Sequence, residues 1–376
     1  MASTSSDSLI RDALSSDRGR AVTATRALFT EIIEPLADHF EPADCDTYVR
    51  MFAPVLRDVF TDLAGEDIES RYHRIRRVRP TTIEPRAVFV LSRVTLGADV
   101  AVTSIVLDAA KRRFPNAEIC FVGPGKNAEL FAADPRIRSC TIPYARAATL
   151  RERLSVWDAL RELTATPDSL ILDPDSRLTQ LGLLPIGREE HYHLFESRSF
   201  GADSTDSLVT LTQGWVDATL GVPDARAYVC TGLDAAEFAT TVSFGVGENP
   251  AKRVADPFEQ EVLKRLPQPI LIDKGAGGEE AYRVERAVAA SEVNASFWEG
   301  SFAGFAAHIA RSRLFVGYDS AGGHVAAACG VPLISIFTGY ACERMFQRWR
   351  PAGPGDIRVV DANGLGAEEV LRLIRI

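Results

Sequence analysis

Little in this sequence of 376 residues suits a metal centre, a membrane span or a nucleic acid. Cysteine is sparse, with six residues at positions 45, 120, 140, 230, 329 and 342. No two of them stand at Cys-x-x-Cys spacing and no histidine joins them at ligand spacing, which argues against a structural zinc site. Cys120 and Cys329 lie in apolar runs and read as small buried hydrophobes. Scattered thiols of this kind suit a reducing compartment. No stretch reaches the roughly 18 consecutive apolar residues that a membrane-spanning helix needs. Residues 1–7 are serine-rich and lack the apolar core of a secretory signal, so a cytoplasmic location is expected. Positive charge is also short: 42 Lys and Arg stand against 51 Asp and Glu, a net charge of −9. A general nucleic-acid binder carries the opposite balance. Histidine is scarce too, and His191-Tyr192-His193 reads as a solvated loop pair rather than a metal site.

What is present is the material for a sizeable core. Apolar residues make up 46% and charged residues 25%. The length favours two domains over one, because single cores stop growing near roughly 250–300 residues. No fixed-period repeat is visible, but three zones are. The first reads as helical: Leu28, Ile32, Leu36 and Phe40 recur every fourth residue, and Val49, Phe52, Leu56, Val59, Phe60 and Leu63 form a second stripe. Asp46 is placed to cap that second helix and Gly65 to end it. The zone closes on five arginines within nine residues, Arg71 to Arg79. Such a run is either a solvated connector or a contact for an anionic acceptor or an acidic membrane surface.

The second zone alternates apolar strands at 87–91, 118–122, 140–142 and 170–172 with helices, the rhythm of a parallel α/β sheet. The rhythm fades over 185–235, where a helix at 208–220 precedes an interdomain crossing at 221–235. It restarts with strands at 242–246, 270–272, 314–316 and 333–337. A final helix near 368–374 is placed to pack back on the second zone. The expected domains are therefore 1–84, a helical extension; 85–225, a first Rossmann-like domain; and 226–376, a second Rossmann-like domain. Two such sheets enclose a cleft, and ligands of parallel α/β sheets bind at the carboxyl ends of the strands.

The loops at those ends carry the candidate chemistry. Asp319-Ser320-Ala321-Gly322-Gly323-His324 joins a strand to an alanine-rich helix. Bare amides at Ala321, Gly322 and Gly323, with the positive end of the helix dipole, make an anion site, to which Ser320 adds a hydroxyl and His324 a ring nitrogen. The Asp319 carboxylate repels phosphate and suits sugar or ribose hydroxyls. The plainer alternative is that Asp319 caps the helix and His324 is satisfied in the core. Gly275, Gly277 and Gly278 form a turn that lets backbone approach a nucleotide, although the dinucleotide fingerprint spacing is absent. Asp175 and Arg177 follow a strand and face the cleft, either as acceptor contacts or as a polar strand-end turn. Gly123-Pro124-Gly125-Lys126 lacks the spacing and hydroxyl of a triphosphate-binding loop.

Residues 316–332, Val-Gly-Tyr-Asp-Ser-Ala-Gly-Gly-His-Val-Ala-Ala-Ala-Cys-Gly-Val-Pro, resemble the signature of family 9 glycosyltransferases, the ADP-heptose:lipopolysaccharide heptosyltransferases. Asp319, Ser320, His324, the alanine-rich helix and Gly330-Val331-Pro332 stand in register; Tyr318 and Ala321-Gly322-Gly323 depart from it. The segment 89–100, with Arg93, Gly97 and Asp99, is similar to the family's opening loop, with Ala98 inserted. The resemblance covers roughly 86–340 and has no counterpart for the helical extension. It implies a GT-B fold and an inverting, metal-independent transfer with no cofactor. The donor it implies is an ADP-linked sugar nucleotide, and the acceptor a glycan or lipopolysaccharide-type glycolipid, at the inner face of a membrane.

By the same resemblance Asp99 is the general base that activates the acceptor hydroxyl; the local alternative is a cap for the helix after it. Lys252 or Arg253 neutralises the leaving diphosphate, Gly339 lies near the nucleotide, and Arg93 joins Asp175 and Arg177 on the acceptor side. Two other readings stay open: a nucleotide-sugar epimerase or hydrolase of the same fold, and a non-catalytic binding or assembly protein that keeps the pocket.

Overall fold

The computed structural model describes residues 2–374 apart from positions 146, 202, 248 and 276, with residues 2–5 described by backbone alone. Glu248 and Ala276, members of two of the expected loops, lie outside the described residues.

Two all-parallel sheets organise the chain. The first contains β1 (Ala87–Leu91), β2 (Glu118–Gly123), β3 (Ile137–Thr141), β4 (Ser169–Asp173) and β5 (Tyr192–Leu194) in the order β3-β2-β1-β4-β5. The second contains β6 (Thr240–Ser243), β7 (Ile270–Asp273), β8 (Ala295–Trp298), β9 (Phe315–Tyr318), β10 (Leu333–Phe337) and β11 (Ile357–Asp361) in the order β11-β10-β9-β6-β7-β8. The central strands β1, β4 and β10 are buried throughout and mostly apolar because both faces are covered, with Ser169, Asp173 and Ser335 as the buried exceptions. Each sheet reverses its direction of growth once, between β1 and β4 in the first and between β6 and β9 in the second. Such switch points open a crevice between the diverging loops.

One face of the first sheet is closed by the helical extension, helices Arg18–Leu28, Pro42–Val59 and Ile68–Ile75. Their Leu28, Phe52, Leu56 and Tyr72 share a core with Phe89, Leu91, Cys120 and Ile171 of the sheet. The long helix begins at Pro42, whose fixed φ suits the first helical position, so Asp46 is not its cap. Asp46 lies inside the helix and binds Arg76 at 2.7 Å. The helix ends at Val59, before a 3₁₀ turn at Thr61–Leu63, and not at Gly65.

The opposite face packs under helices Ser104–Arg113 and Leu208–Leu220, and this core runs on without interruption into the second lobe. Val90, Ile105 and Trp215 belong to the same buried cluster as Phe305, Ile309, Phe315 and Val325. Each fully buried side chain of this size contributes about 1.5–3 kcal/mol, so the two lobes are joined by packing. After Leu220 the chain crosses as an irregular strap that binds Leu130 and Ala133 through the backbone of Cys230 before entering β6.

The extension also reaches the second lobe. Phe40 is 2% exposed, and its ring meets Trp349 edge-on at 6.4 Å between centroids. Its carbonyl accepts from Arg344 Nη1 at 3.0 Å, and Glu41 pairs with Arg344 at 3.1 Å.

Three expectations are corrected. The terminal helix Ala367–Leu373 does not pack back on the first lobe: Val370 and Leu371 join Val262 and Leu263 in the second lobe's own core, and Arg265 Nη1 donates to the Leu371 carbonyl at 2.9 Å. The arginine run is not a free basic surface. Arg71 is buried and donates to the Gly182 carbonyl, Arg74 binds Glu189, Arg76 binds Asp46 and Glu196, and Arg79 donates to the Glu189 carbonyl. Four of the five arginines are thus engaged within the fold and the fifth, Arg77, is exposed, so the run is not a continuous free basic patch for a membrane or an acceptor. His193 is not a loop residue: it lies buried on β5, and burial lowers its pKa to about 4.

Phe40 holds a left-handed backbone, φ +56°, which costs an L residue about 1–2 kcal/mol. Phe40→Ala is therefore expected to lose about 3–5 kcal/mol of stability. Phe40→Gly, equally ringless but free of the strain, is expected to be the less damaged of the two by about 1 kcal/mol. Urea denaturation of both variants checks the ordering.

Candidate functional site

The two switch points face one another across a cavity of about 660 Å³. The first lobe contributes Arg93, Val94 and Thr95 from the loop after β1, and Asp175 and Arg177 from the loop after β4. The second lobe contributes Asn249 and Lys252 from the loop after β6, and Met345 and Trp349 from the helix Glu343–Trp349. The extension closes the third side with Phe29, Glu34, Asp38 and Phe40.

On the second lobe, Asp319 is not the helix cap. Ser320 holds the cap position of the helix Ala321–Cys329, but its hydroxyl makes no capping bond. Asp319 turns instead to Lys252, Nζ to Oδ2 at 2.5 Å, which ties the loop after β9 to the loop after β6. Ser320 Oγ and His324 Nδ1 are buried without a hydrogen-bond partner among the described residues. His324 is 5% exposed, and burial lowers its pKa to about 4, with Asp319 raising it and Lys252 lowering it further. Two buried, unpartnered polar atoms beside a lysine and a helix start make a setting chemically suited to an anion.

The glycines of this motif serve packing more than approach. A Cβ on Gly322 would lie 2.6 Å from the Phe315 ring. The Gly323 amide already donates to the Ser320 carbonyl at 3.2 Å, so it is not a bare donor. Ala321 remains partly exposed at the helix start.

Lys252 and Arg253 separate. Lys252 lines the cavity, whereas Arg253 binds Glu259 at 2.9 Å and Asp256 at 2.5 Å on the outer side of the lobe. Arg253 is thus corrected from phosphate ligand to structural ion pair, because its charge is already met by two carboxylates. Gly339 explains how Lys252 is placed: a Cβ there would lie 2.2 Å from the Ala251 carbonyl oxygen. Its φ of +65° suits glycine, which lets the last loop back directly onto the lysine-bearing turn. Gly275, Gly277 and Gly278 all hold positive φ in the loop after β7. Glu280 just beyond them accepts from the Val246 amide at 3.0 Å, binding that loop to the one that carries Lys252.

Asp99 does not face the cavity. It is 0% exposed and lies inside a helical turn that starts at Leu96, so it caps nothing. Its carboxylate accepts from Ser92 Oγ at 2.6 Å, the Arg93 amide at 2.7 Å, Thr103 Oγ1 at 2.6 Å and Asn127 Nδ2 at 2.6 Å. Burial raises its pKa and the four donors oppose that rise. A carboxylate with this many donors and no access is a poor proton acceptor for an acceptor hydroxyl. Asp99 is corrected to a positioning residue that knits the loop after β1 to its helix.

On the first lobe, where acceptor contacts were expected, Asp175 is spent: Arg198 grips it at 2.9 and 3.1 Å, and Ser197 donates at 3.1 Å. Burial would raise its pKa, but Arg198 and Arg93 outweigh it and hold the carboxylate below the usual range. Arg93 donates to the Pro174 carbonyl at 3.0 Å and lies over the Trp349 ring at 6.0 Å. Arg177 stacks 5.8 Å above Phe29, and its Nη1 is buried with no partner among the described residues. The sequence reading missed the third wall, above all Asp38. The signal was the Glu34–Asp38 pair, two carboxylates one helical turn apart on the polar face opposite the stripe of Leu28, Ile32, Leu36 and Phe40.

Comparison with known proteins bears on the fold and on the second lobe's sequence. A sequence model described as "Glycosyltransferase family 9 (heptosyltransferase)" matches residues 277–361. No curated protein matches the chain. Among solved structures, E. coli heptosyltransferase WaaC with ADP is 18% identical, covers 77% of this chain and 98% of its own, and superposes with a TM-score of 0.59. A family 9 glycosyl transferase from Veillonella parvula is 16% identical, covering 75% and 87% with a TM-score of 0.54. E. coli ADP-heptose lps heptosyltransferase II is 17% identical, covering 77% and 97% with a TM-score of 0.51. The likeness to family 9 read from the sequence is borne out over the donor-side segment, and the GT-B fold over most of the chain.

The depressed His324 pKa has a direction that can be measured. Between pH 6.5 and about 4 the unfolded chain binds a proton that the folded chain refuses. The contribution is therefore complete above pH 6.5 and lost as the pH falls toward 4. His324→Asn removes this linkage, so its stability is expected to fall less than the parent's between pH 7 and pH 5, by about 2 kcal/mol. Urea denaturation at the two pH values checks it.

Proposed function

We propose that this chain is an inverting glycosyltransferase that moves a sugar, heptose-like by similarity, from a nucleoside-diphosphate donor to a hydroxyl of a glycan or lipopolysaccharide-type acceptor. The observation that carries the reading is the Lys252–Asp319 pair beside two buried, unpartnered polar atoms, Ser320 Oγ and His324 Nδ1, at the second lobe's switch point. The family match over 277–361 covers this same region. Two similar structures bear ADP in their descriptions or names, which supports an adenine nucleotide as the donor's leaving group.

The chemistry follows from where charge grows. As the anomeric C–O bond breaks, its electron pair passes to a phosphate oxygen, and the diphosphate gains negative charge. Lys252 and the start of the helix Ala321–Cys329 provide fixed positive charge there, which lowers the barrier without reorganisation. A bound diphosphate competes with Asp319 for Lys252, and the freed Asp319 carboxylate then accepts from ribose or sugar hydroxyls. The chain itself supplies the charge, so the proposal needs no metal and no cofactor. The acceptor oxygen forms its new bond on the opposite face of the anomeric carbon, from the side lined by Arg93 and Arg177. The unpartnered Arg177 Nη1 suits an acceptor that carries an anionic group.

The sealed Asp99 favours one other reading, a protein that binds nucleotide sugars without transferring them. Nucleotide turnover separates the two. For the donor site itself, ADP is expected to raise the melting temperature of the chain, and Lys252→Ala to weaken ADP binding about 10- to 100-fold, roughly 1.4–2.8 kcal/mol. Titration calorimetry reads this directly. If ADP, GDP and UDP all leave the parent chain unaffected, the donor site is misassigned.

A further inference from the structure

With Asp99 enclosed, the reaction lacks a group to take the acceptor's proton. Of the carboxylates around the cavity, Asp175 is held by Arg198 and Asp319 by Lys252. Glu34 stands exposed at the rim. Asp38 is different. It ends the short helix Glu34–Asp38 of the extension and lines the cavity together with Lys252 and Arg177. Its carboxylate has no hydrogen-bond or ion-pair partner among the described residues. Its backbone is anchored, since its carbonyl lies 3.6 Å from Cys342 Sγ and the adjoining Phe40 and Glu41 grip Arg344. A carboxylate fixed by its main chain and free at its side chain, in a cleft, is built for a ligand and adds little to the fold.

We propose that Asp38, supplied by the helical extension, is the catalytic base that accepts the proton of the acceptor hydroxyl. This rests on the glycosyltransferase reading above. In the step, the hydroxyl O–H proton passes to an Asp38 oxygen as the acceptor oxygen bonds to the anomeric carbon. The bond from that carbon to the diphosphate breaks, and its electron pair leaves with the diphosphate toward Lys252. Protons, electrons and the leaving group are thereby all accounted for.

The electrostatic surroundings agree. Burial is the main cause that raises the Asp38 pKa, to about 6, and Glu34 on its own helix adds to the rise. Arg177 from the first lobe, Lys252 from the second and the neighbouring His39 act the other way. Arg93 and Arg153 line the same cavity and add positive charge on the first-lobe side. A base of this strength is ionised at neutral pH yet still takes a proton in the transition state. The pattern also accounts for the extension itself: it gives the cleft a third wall and places the carboxylate that the loop after β1 cannot present.

The test uses the full-length chain and its Asp38→Asn and Asp38→Glu variants. Calorimetry with ADP reads donor binding, and release of ADP from ADP-heptose, with water as acceptor, reads turnover. Asp38 protonation is followed separately by carbodiimide labelling of its peptide across pH. The expected result is ADP binding within about twofold of the parent in both variants. Turnover falls about 100-fold or more in Asp38→Asn, recovers partly in Asp38→Glu, and loses its rise near pH 6 in Asp38→Asn. Labelling of the parent is expected to show a midpoint near pH 6. Near-parent turnover by Asp38→Asn, an unchanged pH profile, or a labelling midpoint in the ordinary carboxylate range near pH 4 overturns the assignment. Failure of the parent to bind ADP instead overturns the donor reading on which it rests.

Discussion

The arrangement of the two lobes depends on their contact at Gly97. A Cβ at that position would lie 3.2 Å from the Ala321 backbone and 3.2 Å from the His324 ring. A side chain there would press on both, so its absence lets the loop after β1 rest on the start of the helix Ala321–Cys329. Much else follows from this approach. The Asp99 turn is pressed into the interface and satisfied by four donors. One core runs through both lobes. The space left between them is the cavity bounded by the two switch points.

That cavity would be open on one side without the helical extension. Phe40, Glu41 and Arg344 close it by tying the extension to the second lobe. The same segment carries Asp38, so the contact that shapes the cleft also sets the position of a lining aspartate that has no side-chain partner among the described residues. The arginine-rich end of the extension is used differently. Its guanidiniums are spent on Glu189, Glu196 and main-chain carbonyls, which fastens the extension to the first lobe.

Much of the architecture was legible in the sequence, because parallel buried strands read as nearly continuous apolar runs and their helices must alternate with them. The loop at 319–324 could be found for the same reason: it follows a strand, and its small residues mark a close approach. The sequence could not show what the approach was for. Gly322 packs on Phe315, and Gly323 turns its amide inward. Lys252 and Arg253 are neighbours in sequence, and only the partners Glu259 and Asp256, beyond the turn, decide which of them faces the cleft. Asp99 stands where the resemblance to family 9 implies a base, yet Ser92, Thr103 and Asn127 enclose it. Asp38 was easy to pass over for the opposite reason. A carboxylate pair on the polar face of a helix reads as ordinary solvated surface, and its importance depends on a cavity assembled from three distant parts of the chain.

The central claim is that a nucleoside diphosphate binds at the Lys252–Asp319 junction, beneath the wall made by the extension. A crystal structure of the chain with ADP tests it most directly. The account predicts phosphate oxygens within about 3 Å of Lys252 Nζ and Ser320 Oγ, with Asp319 released from the lysine and turned toward a hydroxyl. ADP bound instead on the outer face, against Arg253 and Arg283, with the Lys252–Asp319 pair intact, would contradict it.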